Sequence, residues 1–210
     1  MLISQSLKIR TMKRELQRLF ALMVLVALPL FLFSQEYGSI LNESFENGIP
    51  AGWTQEKISG NVEWVLETGG KNPNGAYFGE KRLSFCSHAT VTTNAVTRIV
   101  TPVLTDFTSL RDPILVFAHA QDKYANDFDT LKVLYRRAGM KDWALLKVYD
   151  KYIADWQIDT VSLTFLQGAR DFQLAFQACD NLGRGIVLDN IELRSRPSCF
   201  TPEQIYVKGV

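Results

Sequence analysis

The chain has 210 residues, of which 47% are hydrophobic and 21% charged, and its formal net charge is +1. This length fits one domain with room for a full core. The near-neutral balance disfavours nucleic-acid binding, so no nucleic acid is expected as a partner.

The first 34 residues have the layout of a secretory signal peptide, with five basic residues ahead of an apolar run over residues 19–33. The run is about 15 residues long, whereas a membrane-spanning helix needs roughly 20. We therefore expect a helical signal peptide over residues 1–34 and a protein that is secreted or held at the cell surface. The alternative is an uncleaved leader, which would be the only contact with a membrane.

The leader holds five of the 23 basic and one of the 22 acidic residues, so 18 basic and 21 acidic residues remain after it, a net charge of −3.

After the leader, residues 43–53 predict the end of a first strand. Turn-forming Asn, Gly and Pro residues are concentrated in residues 47–52. Trp53 follows them directly, and we predict that this turn delivers its ring to the core.

Alternating patterns further along the chain predict half-buried antiparallel strands. In residues 130–136 every second side chain from Leu131 to Tyr135 is apolar, and residues 171–179 alternate in the same way. Turn clusters such as residues 69–75 separate these segments, and no sustained helical period appears after the leader. The pattern favours a β-sandwich or jelly roll over an α/β fold.

Several motifs follow one another in an order that resembles a known family. The opening F-E-N-G-I-P-A-G-W is followed by the strand I-V-T-P-V-L at residues 99–104 and by paired strands within residues 114–137. The closing motif, G-I-V-L-D-N-I, occupies residues 185–191. Together they resemble the MAM-like and cleaved-adhesin domains of the choice-of-anchor J type, found in secreted and cell-surface bacterial proteins. The resemblance covers essentially the whole chain after the leader.

The resemblance implies an all-β fold, a jelly-roll antiparallel β-sandwich over residues 35–195, with a non-catalytic role. We therefore expect an exported adhesion or recognition module that binds a protein or glycan ligand at a cell surface and is not an enzyme. A carbohydrate-binding accessory module of a secreted hydrolase and a structural spacer are the alternatives. Residues 196–210 indicate a linker and a strand that either begins a following domain or adds to this sandwich.

An acidic loop over residues 121–129 suggests a metal site, because Ca²⁺ prefers carboxylate and carbonyl oxygens. The resemblance implies a structural Ca²⁺ where the first and last strands meet this loop. The matching positions are Glu46, Asp122, Asp127 and Asp189. Asp189 alternates with Val187 and Ile191, so we expect it to point inward, where a carboxylate is costly unless paired or metal-bound. The alternative is that the loop acids are solvated and that Asp189 accepts hydrogen bonds from the first strand.

Catalytic signatures are weak in this sequence. No nucleophile elbow, zinc-protease motif, P-loop or dinucleotide fingerprint is present. His119 lies in an apolar strand, where we expect a hydrogen-bonded sheet residue rather than a base. Asp127 and Asp129 lie on one strand approach, which is the wrong geometry for the two acids of a glycosidase.

Aromatic residues and cysteines complete the candidates. The family resemblance places all four tryptophans at core or strand-edge positions; they are Trp53, Trp64, Trp143 and Trp156. Tyr124 and Tyr152 lie in predicted loops and are the better exposed rings for stacking on a sugar. Three cysteines allow at most one disulfide, for which Cys179 and Cys199 are the favoured pair and free buried thiols the alternative.

Overall fold

The computed structural model describes residues 38–85, 94–105, 107 and 110–196. The predicted signal peptide, Cys86, Cys199 and the tail beyond residue 196 lie outside these ranges. In the ranges that it does describe, no helix is long and apolar enough to cross a membrane.

Strands make up nearly all of the regular structure in these ranges, as the sequence predicts. In chain order they are β1 (Gly38–Glu43), β2 (Thr54–Ser59), β3 (Trp64–Thr68), β4 (Lys81–Phe85), β5 (Val96–Val100), β6 (Leu104–Thr105), β7 (Arg111–Tyr124), β8 (Asp127–Phe128), β9 (Thr130–Arg137), β10 (Ala144–Tyr149), β11 (Ile153–Ser162), β12 (Asp171–Cys179) and β13 (Gly185–Arg196). A 3-10 turn, Thr164–Leu166, follows β11.

The strands form two antiparallel sheets. Sheet A has the order β11-β7-β13-β4-β3, with β1 beside β13 and β8 beside β7. Sheet B has the order β10-β9-β12-β5-β2, with β6 beside β12. This arrangement confirms the predicted antiparallel β-sandwich and is that of a jelly roll.

The core lies between the sheets and follows the alternation of the sequence. Leu131 and Val133 of β9 and Leu174 and Phe176 of β12 are fully buried in it. Trp53 is 8% exposed and meets the Phe45 ring edge-on at 5.7 Å, which confirms its predicted place in the core.

The predicted strand over residues 99–104 is interrupted. β5 ends at Val100 and β6 begins at Leu104. Pro102 lies in the gap, and a proline has no N–H to donate to a ladder. Thr101 bonds β12 instead, because its N–H donates to the Leu174 carbonyl at 2.9 Å and its hydroxyl accepts the Leu174 N–H at 3.0 Å.

Strand β13 has two successive partners on one side. Its first part pairs with β4 and its second part with β1, while β7 runs along the other side. A register shift against β7 lies between Asp189 and Glu192, and Asn190 has a φ of 48°. This bulge inserts one residue, so the side chains before and after it alternate in opposite phase. The junction of β1, β4 and β13 is where the predicted site residues Glu46 and Asp189 lie.

Candidate binding surface

A glycine-rich loop between β3 and β4, residues 69–80, lies over the outer face of sheet A. Ile186 and Leu188 of β13 belong to the core, so alternation points Val187 and Asp189 to the opposite face. The loop covers Asp189 there, and its carboxylate is fully buried. The expectation that Asp189 points inward is therefore corrected: Ile191 reaches the core only because of the bulge, and Asp189 is buried outside the core.

The Asp189 carboxylate holds this loop through backbone N–H groups. Its Oδ2 accepts the N–H groups of Tyr77 at 2.8 Å and Phe78 at 2.9 Å, and its Oδ1 accepts that of Asn190 at 2.7 Å. The pKa of Asp189 is raised above its ordinary value, because the effect of burial exceeds the opposing effect of these hydrogen bonds. Two of these donors thus belong to the β3–β4 loop and the third to β13, whereas the alternative drawn from the sequence placed the donors in the first strand.

Glu46 holds the end of the same loop. Its carboxylate accepts the N–H of Lys81 at 2.7 Å and that of Glu80 at 3.0 Å, and these backbone hydrogen bonds lower the pKa of Glu46. The Lys81 Nζ also donates to the Glu46 carbonyl at 2.7 Å. Gly79 has a φ of +70°, and a Cβ at this position would clash with the Glu46 carboxylate, so the contact requires a glycine.

Arg82 fixes the β3–β4 loop through its carbonyl groups, a role that the sequence did not predict. It is 2% exposed, and its Nη1 donates to the carbonyls of Pro73 at 2.6 Å and Gly75 at 3.0 Å. Its Nη2 donates to the Lys71 carbonyl at 3.2 Å and to the Glu67 carboxylate at 2.8 Å. A guanidinium has enough donors to fix several carbonyls at once. The only sequence signal was a lone arginine just after a glycine-rich turn.

The four predicted calcium ligands do not come together. Asp122 pairs with Gly185 of β13. Gly185 lies four residues from Asp189 along this strand, a separation of about 13 Å. Its Oδ2 accepts the Asn72 amide at 2.8 Å, and Asp127 lies exposed in β8. Within residues 38–85, 94–105, 107 and 110–196, no three His, Cys, Asp or Glu side chains form a group that could hold a metal. These four residues therefore do not fit one shared cage, and calcium binding stays a prediction.

Asp129, one residue beyond β8, is a fully buried acid of the segment that the sequence marked as an acidic loop. Its Oδ1 accepts the N–H groups of Asn181 and Gly183, both at 2.9 Å, and so holds the β12–β13 loop. The sequence placed Asp129 in the acidic loop proposed as a metal site and in a disfavoured catalytic pair, and did not predict this anchoring role. Together with the buried Asp189 and the half-buried Glu46, it shows that carboxylates here serve as acceptors for loop backbones.

Four connecting segments form one surface, which we call the rim: residues 69–80 and 180–184, which these anchors hold, the turn between β7 and β8, and residues 150–152. Asp122 links them, since it binds Asn72 and lies 4.0 Å from Arg184. Gln121 donates to the Lys151 carbonyl at 3.2 Å.

Aromatic rings stand out from the rim. Tyr124 is 58% exposed and Tyr152 is 43% exposed, as the sequence predicted. The Arg184 guanidinium lies 5.7 Å from the Tyr124 ring centre, and the Lys123 ammonium lies 4.7 Å from that of Tyr152. These cation–π contacts restrain exposed rings.

The tryptophans divide as predicted between core and strand edge. Trp64 is 1% exposed, and its ring N–H donates to the Thr97 carbonyl at 3.2 Å. Trp156 is half-buried on the edge strand β11 and meets the Tyr77 ring at 6.0 Å. Trp143 is half-buried just before the edge strand β10, with two arginines against its ring.

His119 differs from its prediction. It is fully buried on the core face of β7, beside Tyr149 at a ring separation of 4.3 Å. Neither of its ring nitrogens has a hydrogen-bond partner in the described ranges, and the same holds for the Tyr149 hydroxyl. Burial lowers the pKa of His119 to about 4, against the opposing charge of Asp159, whereas burial and Asp159 both raise the pKa of Tyr149. A neutral, enclosed imidazole is a packing group, although it lacks the hydrogen bonds expected of a sheet residue. Cys179 is a free, half-buried thiol among the described residues, and Cys199, its favoured disulfide partner in the sequence, lies outside them.

Comparison with solved structures shows the fold. The K1 cleaved adhesin domain of Lys-gingipain from Porphyromonas gingivalis W83 is 22% identical, with a TM-score of 0.58 over 76% of this chain and 99% of that domain. The K3 domain of the same protein is 21% identical, with a TM-score of 0.55 over 75% of this chain and 100% of that domain. The CBM22-1 xylan-binding domain of Paenibacillus barcinonensis Xyn10C is 19% identical, with a TM-score of 0.53 over 79% and 99%.

These likenesses confirm the predicted cleaved-adhesin type of jelly roll. The narrower assignment to the MAM-like or choice-of-anchor J family stays a prediction. No protein-family model matches the sequence. No curated protein matches it either.

Proposed function

We propose that this protein is an exported, non-catalytic adhesion or recognition module that binds its ligand through the rim. The observation that carries the proposal is the pair of exposed rings, Tyr124 and Tyr152, each restrained at the rim by a neighbouring cation. Rigid aromatic side chains supply contact area at little entropic cost and dominate many interfaces.

Two further observations support this proposal. The leader over residues 1–34 has signal-peptide layout. The fold is shared with domains named as an adhesin and as a xylan-binding domain, and a fold alone does not fix a function. Export is tested by N-terminal sequencing of the mature protein, which should begin at or near Gln35. Recovery of the intact leader in membranes would instead make it an anchor.

The test of binding compares rim variants with a matched control. Purified protein is applied to a glycan array and to an array of extracellular proteins, together with a Tyr124→Ala/Tyr152→Ala double variant. Phe165→Ala is the control, because Phe165 is an aromatic residue of similar exposure, 45%, outside the rim. We expect the double variant to bind at least about tenfold more weakly and the control to bind normally, because rings at the centre of an interface contribute most of the affinity.

The outcome also separates the candidate functions. Signals confined to glycans would favour the second candidate, a carbohydrate-binding accessory module, which the exposed rim tyrosines also support because flat rings stack on sugars. Equal binding by the double variant would place the ligand elsewhere. Absence of binding to both arrays would favour the remaining alternative, a structural spacer.

A further inference from the structure

Strand β11 ends the strand order of sheet A and is longer than the strands at the other three ends of the two sheets. It has 10 residues, whereas β2, β3 and β10 have 5 or 6. In the described ranges it pairs with β7 alone. A free edge is a template for pairing with another chain, and a short edge strand is one way in which proteins avoid this. The length of β11 does not give that protection.

The backbone register shows which groups of β11 face the free edge. Directly after the strand, the Leu163 N–H donates to the Pro113 carbonyl of β7 at 2.8 Å. In an antiparallel ladder, alternate residues turn their N–H and C=O groups toward the partner strand. The register is continuous from residue 157 to residue 162. Because Leu163 faces β7, Ile158 and Thr160 turn their backbone groups to the free edge.

Two aspartates bond N–H groups on this edge. The Asp159 Oδ1 accepts the Thr160 N–H at 2.7 Å, and the Asp155 Oδ1 accepts the Trp156 N–H at 2.8 Å. Trp156 has no paired residue on β7, so its N–H does not belong to that ladder. Each carboxylate oxygen occupies the place that a carbonyl of an added strand would take. Ile158 lies between the two bonds and is 55% exposed.

The rest of β11 favours pairing. Asp155 and Asp159 are the only charged residues among its 10, and the strand contains no proline or glycine. Segments of high β propensity and low charge are those that pair most readily with other chains. If two β11 strands paired antiparallel about Gln157, Asp155 of one copy would face Asp159 of the other. Facing like charges destabilise a sheet, so the two acids oppose pairing by charge as well as by bonding N–H groups.

We infer that the free edge of β11 is a pairing surface for a second copy of this chain, and that Asp155 and Asp159 keep it closed. Loss of the two carboxylates lets two copies join through β11. The inference goes beyond the proposed function, because it concerns an edge outside the rim. Loss of rim binding would leave it unchanged.

The experiment is sedimentation velocity of the purified full chain over a range of concentrations. Asp155→Ala/Asp159→Ala should self-associate at least about tenfold more strongly than the unmutated protein. Asp142→Ala/Asp150→Ala is the control, because it removes the same charge from two exposed acids outside β11, and it should behave like the unmutated protein. Adding Thr160→Pro to the first double variant should restore the monomer, because proline removes an outward N–H and leaves the ladder with β7 intact.

Three results would overturn the inference. Equal association of Asp155→Ala/Asp159→Ala and the unmutated protein would show that the acids do not close the edge. Equal association of the two double variants would assign the effect to loss of charge in general. Association that survives Thr160→Pro would place the interface elsewhere.

A second variant separates pairing from damage to the fold. Asp159 lies near His119 and Tyr149, so its replacement also changes that region. Asp155→Ala leaves the region unchanged, and it should also associate more strongly than the unmutated protein. Melting curves check that each variant is folded.

Discussion

Two buried polar regions of sheet A differ in how their polar groups are satisfied. Under the β3–β4 loop, Asp189 and Arg82 are buried, and each bonds two or more backbone groups of that loop. On the core face of the same sheet, His119 is buried beside Tyr149, which belongs to β10 of sheet B. None of their polar side-chain atoms makes a hydrogen bond in the described ranges, although the Asp159 carboxylate lies near enough to influence both pKa values. Buried polar groups anchor structure only where donors and acceptors meet, and otherwise remain neutral packing groups.

The largest expected effect comes from breaking the first region at Arg82. Arg82→Met leaves the carbonyls of Lys71, Pro73 and Gly75 without their donor, so we expect a loss of about 3 kcal/mol or more in urea unfolding. The matched control is Arg184→Met, whose side chain is 48% exposed and lies 4.0 Å from Asp122. It should change stability by about 0.5 kcal/mol or less. Similar losses in the two variants would mean that the loop does not depend on the buried guanidinium.

The second region is tested by pH. The folded pKa of His119 is about 4, below its ordinary 6.5, so the unfolded chain takes up the proton first as the pH falls. His119 thus contributes no penalty above pH 6.5 and costs up to about 3 kcal/mol as the pH falls from 6.5 to 4. The difference in unfolding free energy between the unmutated protein and His119→Leu should follow this window. A pH-independent difference would show that the imidazole is hydrated or paired in the folded protein.

Asp189→Asn should have an intermediate effect. The amide keeps the shape but replaces one acceptor oxygen by an NH₂ group that faces an N–H donor, so we expect a loss of about 1–2 kcal/mol. Asp127→Asn is the control, because Asp127 is exposed in β8, and it should stay within about 0.5 kcal/mol. Equal effects would put the two acids in the same class.

Calcium is expected to give the smallest effect. Glu46 lies near enough to Asp189 for its charge to raise the pKa of Asp189, and a divalent cation would relieve that repulsion. Their oxygens already accept backbone N–H groups, so we expect a weak site, with a gain of about 0.4 kcal/mol when the calcium concentration equals Kd. Melting curves in EDTA and in millimolar CaCl₂ measure it, and superimposable curves would exclude the site. A gain that survives in Asp189→Asn would place the ion elsewhere.

Local patterns predicted the sandwich, because alternation such as that from Leu131 to Tyr135 is a property of one strand. They misplaced Asp189, because a bulge at Asn190 reversed the phase within a motif that looks regular in sequence. The composition of the acidic loop predicted a metal site, yet two of its acids, Asp122 and Asp127, do not lie beside Asp189.

Other features depend on cross-strand register, which a single sequence does not give. The approach of Arg98 and Arg136 to Trp143 requires the pairing of β5, β12 and β9. Arg82 in turn needs the path of the whole glycine-rich loop. The exposure of Tyr152 was predictable, because loop position is a local property. Tyr124 is exposed as predicted, although it ends strand β7 and does not lie in a loop.

The central claim is that the carboxylates of Asp189 and Glu46 hold the irregular β3–β4 loop in place through its backbone N–H groups. Amide hydrogen exchange tests it directly: the N–H groups of Tyr77, Phe78 and Lys81 should exchange about a hundredfold or more slower than those of Ala125 and Asn126. The latter two lie in the exposed β7–β8 turn. In Asp189→Asn, exchange should accelerate at Tyr77 and Phe78 and remain slow at Lys81, which Glu46 holds. Equal rates in the two loops of the unmutated protein would contradict the claim.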